Sequence, residues 1–477
     1  MKSKATAGLI CAALAMAGTA AVTWADSHKY KQSTDIPVAV TTPDKVKTSI
    51  GTLEFFDGVP NNATVDAVYD YVDRARAVEA FINLTPAVSM YHLRQGMRDI
   101  GLTESNQILI AEDMPDSKPL VLTWNNTSLY TWGFLNLKKD GPTVVELPPG
   151  VLGVFNDMYF RYMSDIGAAG PDKGKGGKYL VLPPGYEGAV PDGYFVVRSK
   201  SYGVWNFMRG YVTKGAKEAT DRIKANLRVY PLAKKDNPPK TEFTNMSGLA
   251  SYKTIMPNDF SFYESLNALI QEEPLDFLDP ENRGVLAAIG IVKGQPFNPD
   301  ARMKKILTDA VAIGNAYARA NTVFPRDPGN RIYKDTESEW VMGFADKDTY
   351  FLKDGARRMD SRLWMHYNAV VVTPAMALTR PGAGSDYGIA YVDSRKQPFD
   401  GSQVERVGCS LRPVTGCQLG VAQGALGLTD RQRRIAGQFR VGFQAVQFIA
   451  HPFQRQVFLW RGDAGRQQCQ RQHRGYT

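Results

Sequence analysis

Between residues 107 and 212 the chain is cut into short apolar runs by glycine and proline, a punctuation that favours a β-sheet over long helices. The runs are Ile108–Ala111, Leu120–Trp124, Val144–Leu147, Tyr179–Leu182 and Tyr194–Val197. Pro148-Pro149-Gly150 and Pro183-Pro184-Gly185 break the stretch in the same way. The flanks follow another period. Thr64 is placed to cap a helix, with Val65, Val68, Tyr69, Val72 and Ala75 at helical spacing and the run continuing through Val78, Phe81 and Ile82. Pro86 interrupts it, and 87–100 can resume as a second helix. Residues 257–320 are helical again, with one stripe at Phe262, Leu266, Leu269 and Ile270 and another at Met303, Ile306, Ala310, Ile313 and Tyr317. From about 340 the pattern returns to strand-like runs at Trp340, Phe344, Tyr350 and Phe351, then Val370–Thr373. The reading is a mixed, mainly β chain with a helical domain: β, then α, then β, after a leading helix pair.

At 477 residues and 43% apolar content the chain is too long for one ordinary domain. The N-terminus reads as a signal peptide. Lys2 and Lys4 precede the uncharged stretch Ala5–Val22, and Thr23 and Ala25 stand before a cut ahead of Asp26. The rival reading is a membrane anchor, but no basic stop follows, so export to the periplasm is expected. Cys11 follows Ile10, where a lipoprotein would need a small residue. No later run is long enough to span a membrane. Residues 401–477 carry eight of the nine net positive charges, so the basic balance is no argument for nucleic acid. Cys409, Cys417 and Cys469 also lie there, leaving residues 26–400 without cysteine.

Several segments resemble a known family. They are Asp70–Val78 with Pro86, Thr123–Tyr130, and above all GAAGPDKGKGGKYLVLPPGY at 167–186, followed by Pro191–Val196. These look like the domain of unknown function 1254 (DUF1254). Ala356-Arg357-Arg358, Thr373-Pro374, Asp386-Tyr387, Asp393 and Asp400-Gly401-Ser402 resemble the opening of DUF1214. The resemblance implies a secreted bacterial protein with an N-terminal β-sandwich, a small α-helical domain and a C-terminal jelly-roll-like β-sandwich. It supplies no agreed catalytic residues. The expected division is a signal peptide at 1–25, a DUF1254-type domain at 55–212, a connecting segment at 213–256, the helical domain at 257–325, the start of the DUF1214-type sandwich at 326–402, and a tail at 403–477. The tail departs from the family, with 13 Gln and no Lys or Asn, as a reading-frame shift or a basic appendage would produce. Its best apolar stretch, Val441–Phe453, reads as an isolated helix. The second sandwich is therefore expected to lack its closing strands.

Four constellations have chemical potential. The glycines of 167–178, with Lys173, Gly174, Lys175, Gly176, Gly177 and Lys178, can form an anion nest or a tight loop of positive-φ glycines. The loop fits neither phosphate-binding glycine motif and leads into a strand. Asp157, Arg161 and Asp165, at spacing four, would share a helix face as an ion-pair ladder or border a pocket; Asp70, Asp73, Arg74 and Arg76 are similarly ambiguous. Asn125, Asn126, Thr127 and Tyr130 set polar groups beside Trp124 and Trp132, as a small-molecule pocket or a sandwich edge would. His366, between Trp364 and Tyr367, is a better base candidate than His92. No nucleophile elbow, paired histidine ligands or EF-hand loop occurs, so neither metal nor cofactor is expected. Three functions remain: a periplasmic small-molecule-binding or accessory protein, a hydrolase using carboxylates with Tyr or His, and a structural envelope protein.

Overall fold

The computed structural model describes residues 34–114, 118–123, 128–377, 386–392 and 396–397, and the backbone of strands at 407–411, 417–421, 445–451 and 454–461. The chain divides into two compact units, Met1–Val68 and Tyr69–Thr477. The described part of the first is an antiparallel meander of β1 (Lys45–Thr48), β2 (Gly51–Phe56) and β3 (Val59–Pro60), leading into helix α1 (Asn62–Asp99). Asn61 rather than Thr64 caps that helix, its side chain accepting from the Thr64 N–H at 2.8 Å. The Thr64 hydroxyl is turned to the Glu54 N–H instead.

Pro86 does not divide α1 into two helices. A proline removes one N–H and crowds the preceding turn, a cost that neighbouring donors can offset. Here the Thr85 hydroxyl donates to the Phe81 carbonyl at 2.7 Å, and the Asn83 carbonyl accepts from Tyr159 at 2.8 Å and Arg362 at 2.5 Å.

The second unit continues with β4 (Gln107–Ile110), β5 (Leu129–Asn136), α2 (Leu137–Asp140), β6 (Thr143–Leu147), β7 (Val151–Asp157), β8 (Tyr162–Gly167), β9 (Gly177–Leu182), β10 (Phe195–Arg198), β11 (Gly203–Gly210), α3 (Ala216–Asn226), β12 (Arg228–Pro231) and β13 (Glu242–Asn245). These strands build a six-stranded sheet, order β13-β4-β5-β11-β7-β8, and a four-stranded sheet, order β10-β9-β6-β12. The segment expected merely to connect domains thus supplies a strand to each sheet, because Val229 and Tyr230 are buried apolar positions of a short run. Both Pro-Pro-Gly turns end in a glycine at positive φ, Gly150 at 72° and Gly185 at 69°.

Side-chain alternation makes the six-stranded sheet the middle layer. From it Ile108, Ile110, Leu135, Val151, Phe155, Val204 and Met208 pack in one core with Val145, Tyr179, Val181 and Val229 of the smaller sheet. Their neighbours Leu109, Trp132, Phe134, Trp205 and Phe207 pack in another with the helices. That helical layer comprises α1, α4 (Ser261–Glu272), α5 (Pro280–Ala288) and α6 (Ala301–Val323). The buried face of α6 is Ile306, Leu307, Ala310, Val311, Gly314 and Ala318, whereas Ile313, assigned to the stripe by periodicity, is exposed. Gly314 decides this rotation: a Cβ there would stand 2.5 Å from the Phe81 ring. Arg302 ties α6 to α1 through Asp70 at 2.6 Å and Asp73 at 2.9 Å, and Arg74 lies 3.8 Å from Asp309.

Beyond 326 the strand expectation is only partly met. The short hairpin of β14 (Leu352–Lys353) and β15 (Ala356–Arg357) precedes a helix, α7 (Met359–Asn368), and Val370–Thr373 is not a strand. Ser361, Leu363, Trp364, Met365, His366 and Asn368 are buried in α7, more than alternation on a sheet would bury. The remaining strands are β16 (Asp386–Ala390), β17 (Val407–Leu411), β18 (Cys417–Val421), β19 (Ala445–His451) and β20 (Gln454–Arg461). Order β16-β20-β19 forms one sheet, and β17 and β18 form a hairpin. The expected isolated helix is therefore a β-hairpin that pairs with β16, and the tail does supply strands to this part of the fold. Both strands are rich in aromatic and β-branched residues, which suit a pleated sheet. The mixed, mainly β fold with a helical part stands.

Candidate functional site

The middle sheet carries an aromatic row on its helix-facing side. In β5 and β11, Tyr130 pairs with Arg209, Trp132 with Phe207, and Phe134 with Trp205. The Arg209 guanidinium sits 5.3 Å from the Tyr130 ring centre and 5.7 Å from that of Phe207. Trp205 and Phe207 lie 4.8 Å apart. Trp132 donates its indole N–H to the Tyr252 hydroxyl at 3.0 Å. Trp364 of α7 faces this row and donates to the Thr322 carbonyl at 3.0 Å. Between these walls is a narrow cavity of about 50 Å³. Thr123, Lys347 and Arg209 are among its polar lining groups, and among the described residues no carboxylate lines it.

The cavity's irregular wall is held in demanding backbone geometry. Val371 has φ 78°, a region β-branched residues avoid. Asn156 clamps the next residue from both sides, accepting from the Val372 N–H at 3.0 Å and donating to its carbonyl at 2.8 Å. Thr123 and Lys347, also lining, have φ of 53° and 64°. Gly343 is needed for space, since a Cβ there would lie 2.7 Å from the Met365 sulfur. Such strain persists only where the surroundings over-determine it, and it concentrates at binding sites.

Of the residues singled out by sequence, Tyr130 lines this cavity. Trp124, Asn125, Asn126 and Thr127 lie outside the described residues, as do the segment 1–25, Asp393 and Asp400-Gly401-Ser402. Thr123, adjoining the four, is a lining residue. Asp157 and Arg161 do not sit on a helix but on the turn joining β7 to β8. The Asp157 carboxylate accepts the N–H groups of Tyr159 and Arg161 at 2.8 and 2.9 Å, which folds the turn, and Phe160 takes φ 54° within it. Arg161 pairs with Asp157 at 2.5 Å and donates to the Phe277 carbonyl at 3.1 Å. Asp165 leaves the expected ladder and accepts from the Thr373 hydroxyl.

His366 is packed 4.7 Å from Phe160 and 5.6 Å from Phe351, and does not line the cavity. Burial and the nearby Arg362 hold its pKa well below the usual imidazole range. His92 meets Ser265 at 2.9 Å, and burial lowers its pKa to about 4.

The glycine loop closes on a side chain of its own. Asp172 accepts from the N–H of Gly167 at 2.7 Å, the N–H of Gly176 at 3.2 Å and the Tyr179 hydroxyl at 2.5 Å. An internal carboxylate thus takes amides that a bound anion would need. Gly167, Gly174 and Gly176 have positive φ, as does Lys173 at 51°, whereas Gly177 does not. Lys178 pairs with Glu146 at 2.9 Å, and Lys175 donates its backbone N–H to the Asp172 carbonyl. Asp172→Ala should cost about 3 kcal/mol, since bonds to a charged group contribute ~1.5–3 kcal/mol. Urea denaturation checks this, and an unchanged midpoint would show that the loop holds itself.

The sequence reading missed a second, polar cavity of about 210 Å³, where Arg94 and Arg98 of α1 meet Glu272 and Glu273 at the end of α4. Glu272-Glu273-Pro274 was the available signal, because carboxylates are disfavoured at a helix C-terminus. Arg98 bonds Glu272 at 2.9 Å, Arg94 pairs with the same carboxylate, and Arg94 Nη1 lies 3.7 Å from Glu273. Glu273 accepts the N–H groups of Tyr202 and Gly203 at 2.5 and 3.2 Å. Burial outweighs these partners and pushes its pKa up to about 7. Among the described residues no group of three or more His, Cys, Asp or Glu is arranged to hold a metal ion. No described helix is long and apolar enough to cross a membrane.

No curated protein matches the chain. Among solved structures, the VPA0106 protein from Vibrio parahaemolyticus is 13% identical, with 82% of this chain and 96% of that one covered and a TM-score of 0.45. Residues 105–231, which contain most of the two-sheet sandwich, match the family described as "Protein of unknown function (DUF1254)".

Proposed function

We propose that the protein binds a small, slender, largely apolar molecule in the aromatic cavity. The observation carrying this reading is the facing of Tyr130, Trp132, Trp205 and Phe207 by Trp364 across a narrow space. Ligand sites are commonly apolar clefts with a few placed polar groups. Tyr130→Ala should weaken a retained ligand by roughly 1–3 kcal/mol, as loss of an aromatic anchor does. Native mass spectrometry of wild type and variant measures ligand occupancy per folded molecule. Unchanged occupancy in a destabilised variant would make Tyr130 a core residue only.

The hydrolase alternative has less support. It called for a raised carboxylate beside His366, whereas Glu273, the carboxylate raised among the described residues, lines the polar cavity. We also propose export with cleavage ahead of Asp26, a DUF1214-type relationship for the C-terminal half, and a frame-shifted gene ending. The charge pattern of residues 1–25, the quoted motifs and the composition break near Ser402 support these readings. Intact mass of protein from the periplasmic fraction tests both termini. A retained N-terminus would oppose export, and a mass that fits the sequence through Thr477 would oppose the frame shift.

A further inference from the structure

The aromatic cavity is closed and tight. Tyr130, Trp132, Trp205, Phe207, Phe344 and Trp364 line it and are all buried, around a space of about 50 Å³. A cavity that takes a benzene ring measures roughly 150 Å³. A ligand of that size therefore enters only if a wall moves. Several walls are fixed. Tyr130, Trp132, Trp205 and Phe207 belong to paired strands, and Trp364 belongs to α7. Val371 is held by the Asn156 clamp on Val372. One irregular wall, residues 342–347, is tied differently. It is anchored at its start, where the Met342 N–H donates to the Asn330 carbonyl at 2.7 Å and the Asn330 amide donates to the Met342 carbonyl at 2.8 Å. Further on, the Arg358 N–H donates to the Phe351 carbonyl at 2.8 Å. Between these anchors Lys347 and Asp348 donate back to the Phe344 and Ala345 carbonyls at 2.9 and 3.1 Å, bonds internal to the segment.

Asp346 ties down the middle. Its carboxylate meets Lys334 and, at 2.5 Å, Arg358. Arg358 is a fixed post, its side chain 5% exposed and also paired with Asp327 at 3.2 Å. Gly329 leaves room for the cluster, since a Cβ there would stand 2.7 Å from Arg358 Nη1 and 2.8 Å from an Asp346 oxygen. The Asp346 side chain is 39% exposed, so water competes for it. Asp346 and Lys347 both hold left-handed backbone, at φ 52° and 64°. Such residues persist only where their surroundings over-determine them, and the cations on Asp346 contribute that hold.

We propose, resting on the ligand-binding reading of the aromatic cavity, that residues 343–350 form a lid over it, hinged at Gly343 and latched by Asp346 on Arg358 and Lys334. Opening releases the left-handed backbone and swings Phe344 and Lys347 out of the wall. Exposure of Phe344 opposes this, so the closed form predominates. A half-exposed ion cluster adds little net stability, which leaves the open form within reach of thermal motion.

Stopped-flow binding of N-phenyl-1-naphthylamine, a neutral fluorescent probe, to the full chain tests this, alongside hydrogen–deuterium exchange. The wild-type rate should level off at high probe concentration, where lid opening becomes limiting. Asparagine tolerates left-handed backbone. Asp346→Asn should therefore raise that ceiling about fivefold, and the exposed change Lys334→Ala about twofold, as loss of half-exposed pairs allows. Amide exchange at 343–350 should quicken in both variants while that of α7 stays unchanged. Tyr130→Ala should weaken probe binding. A rate without a ceiling, a ceiling that neither variant moves, or faster entry with unchanged exchange at 343–350 would overturn the lid and leave the cavity reading standing. Absence of saturable probe binding, or binding indifferent to Tyr130→Ala, would remove the cavity reading and the lid with it.

Discussion

The stability gap between the wild-type protein and Glu273→Gln is expected to change by up to roughly 3 kcal/mol between pH 5 and pH 8, with the wild type losing ground as pH rises. Burial raises the folded-state pKa of Glu273 from 4.5 to about 7. A raised acid contributes stability below its unfolded value and loses it as pH climbs through the folded one. The opposite sign holds for His92, lowered from 6.5 to about 4, which gives stability above 6.5 that is lost on acidification. His366, held well below the usual imidazole range by burial, acts in the same direction as His92, so between pH 4.5 and 6.5 Glu273 offsets only part of the loss on acidification. Glutamine at 273 exposes the acid-side loss from His92. Urea denaturation of both proteins across this range is the measurement, and parallel profiles would mean that Glu273 is ionised throughout.

Trp205→Ala should destabilise by about 3–5 kcal/mol, the usual cost of truncating a buried aromatic side chain. Trp205 is fully buried, with Phe207, Phe160, Trp132 and Phe134 rings 4.8 to 6.4 Å away. Trp205→Phe should cost far less. It keeps most of the ring volume and removes an indole N–H that has no acceptor among the described residues. Equal losses in the two variants would mean that the N–H, and not the packing, holds this wall. The alanine variant should also enlarge the aromatic cavity, so rescue of its melting temperature by a small aromatic solute is a second readout. Benzene in an engineered apolar cavity is the established precedent in another protein.

How far the sequence reached follows from which interactions are local. Apolar runs between glycine and proline breaks located β4, β6, β9 and β10, because alternation and turn chemistry are properties of neighbouring residues. The same reasoning identified Tyr130 as a pocket candidate. It failed at Asp157, Arg161 and Asp165, where spacing four suits a helix equally well, and only pairing with β11 makes the segment a hairpin. It also failed at Pro86, where the Asn83 carbonyl in the preceding turn is held by Tyr159 and Arg362, distant in sequence. The polar cavity lay further out of reach. Glu273 acquires its character from burial against Arg94, 179 positions earlier, and from the backbone of Tyr202 and Gly203. The sequence alone determined the coarse order of a leading helical region, a β region at 107–212 and a helical region at 257–320, with the Pro-Pro-Gly turns inside the β region. Tertiary structure decided which acids are buried, which histidines are held neutral and which aromatics face one another, because desolvation and charge pairing depend on neighbours brought together only by the fold.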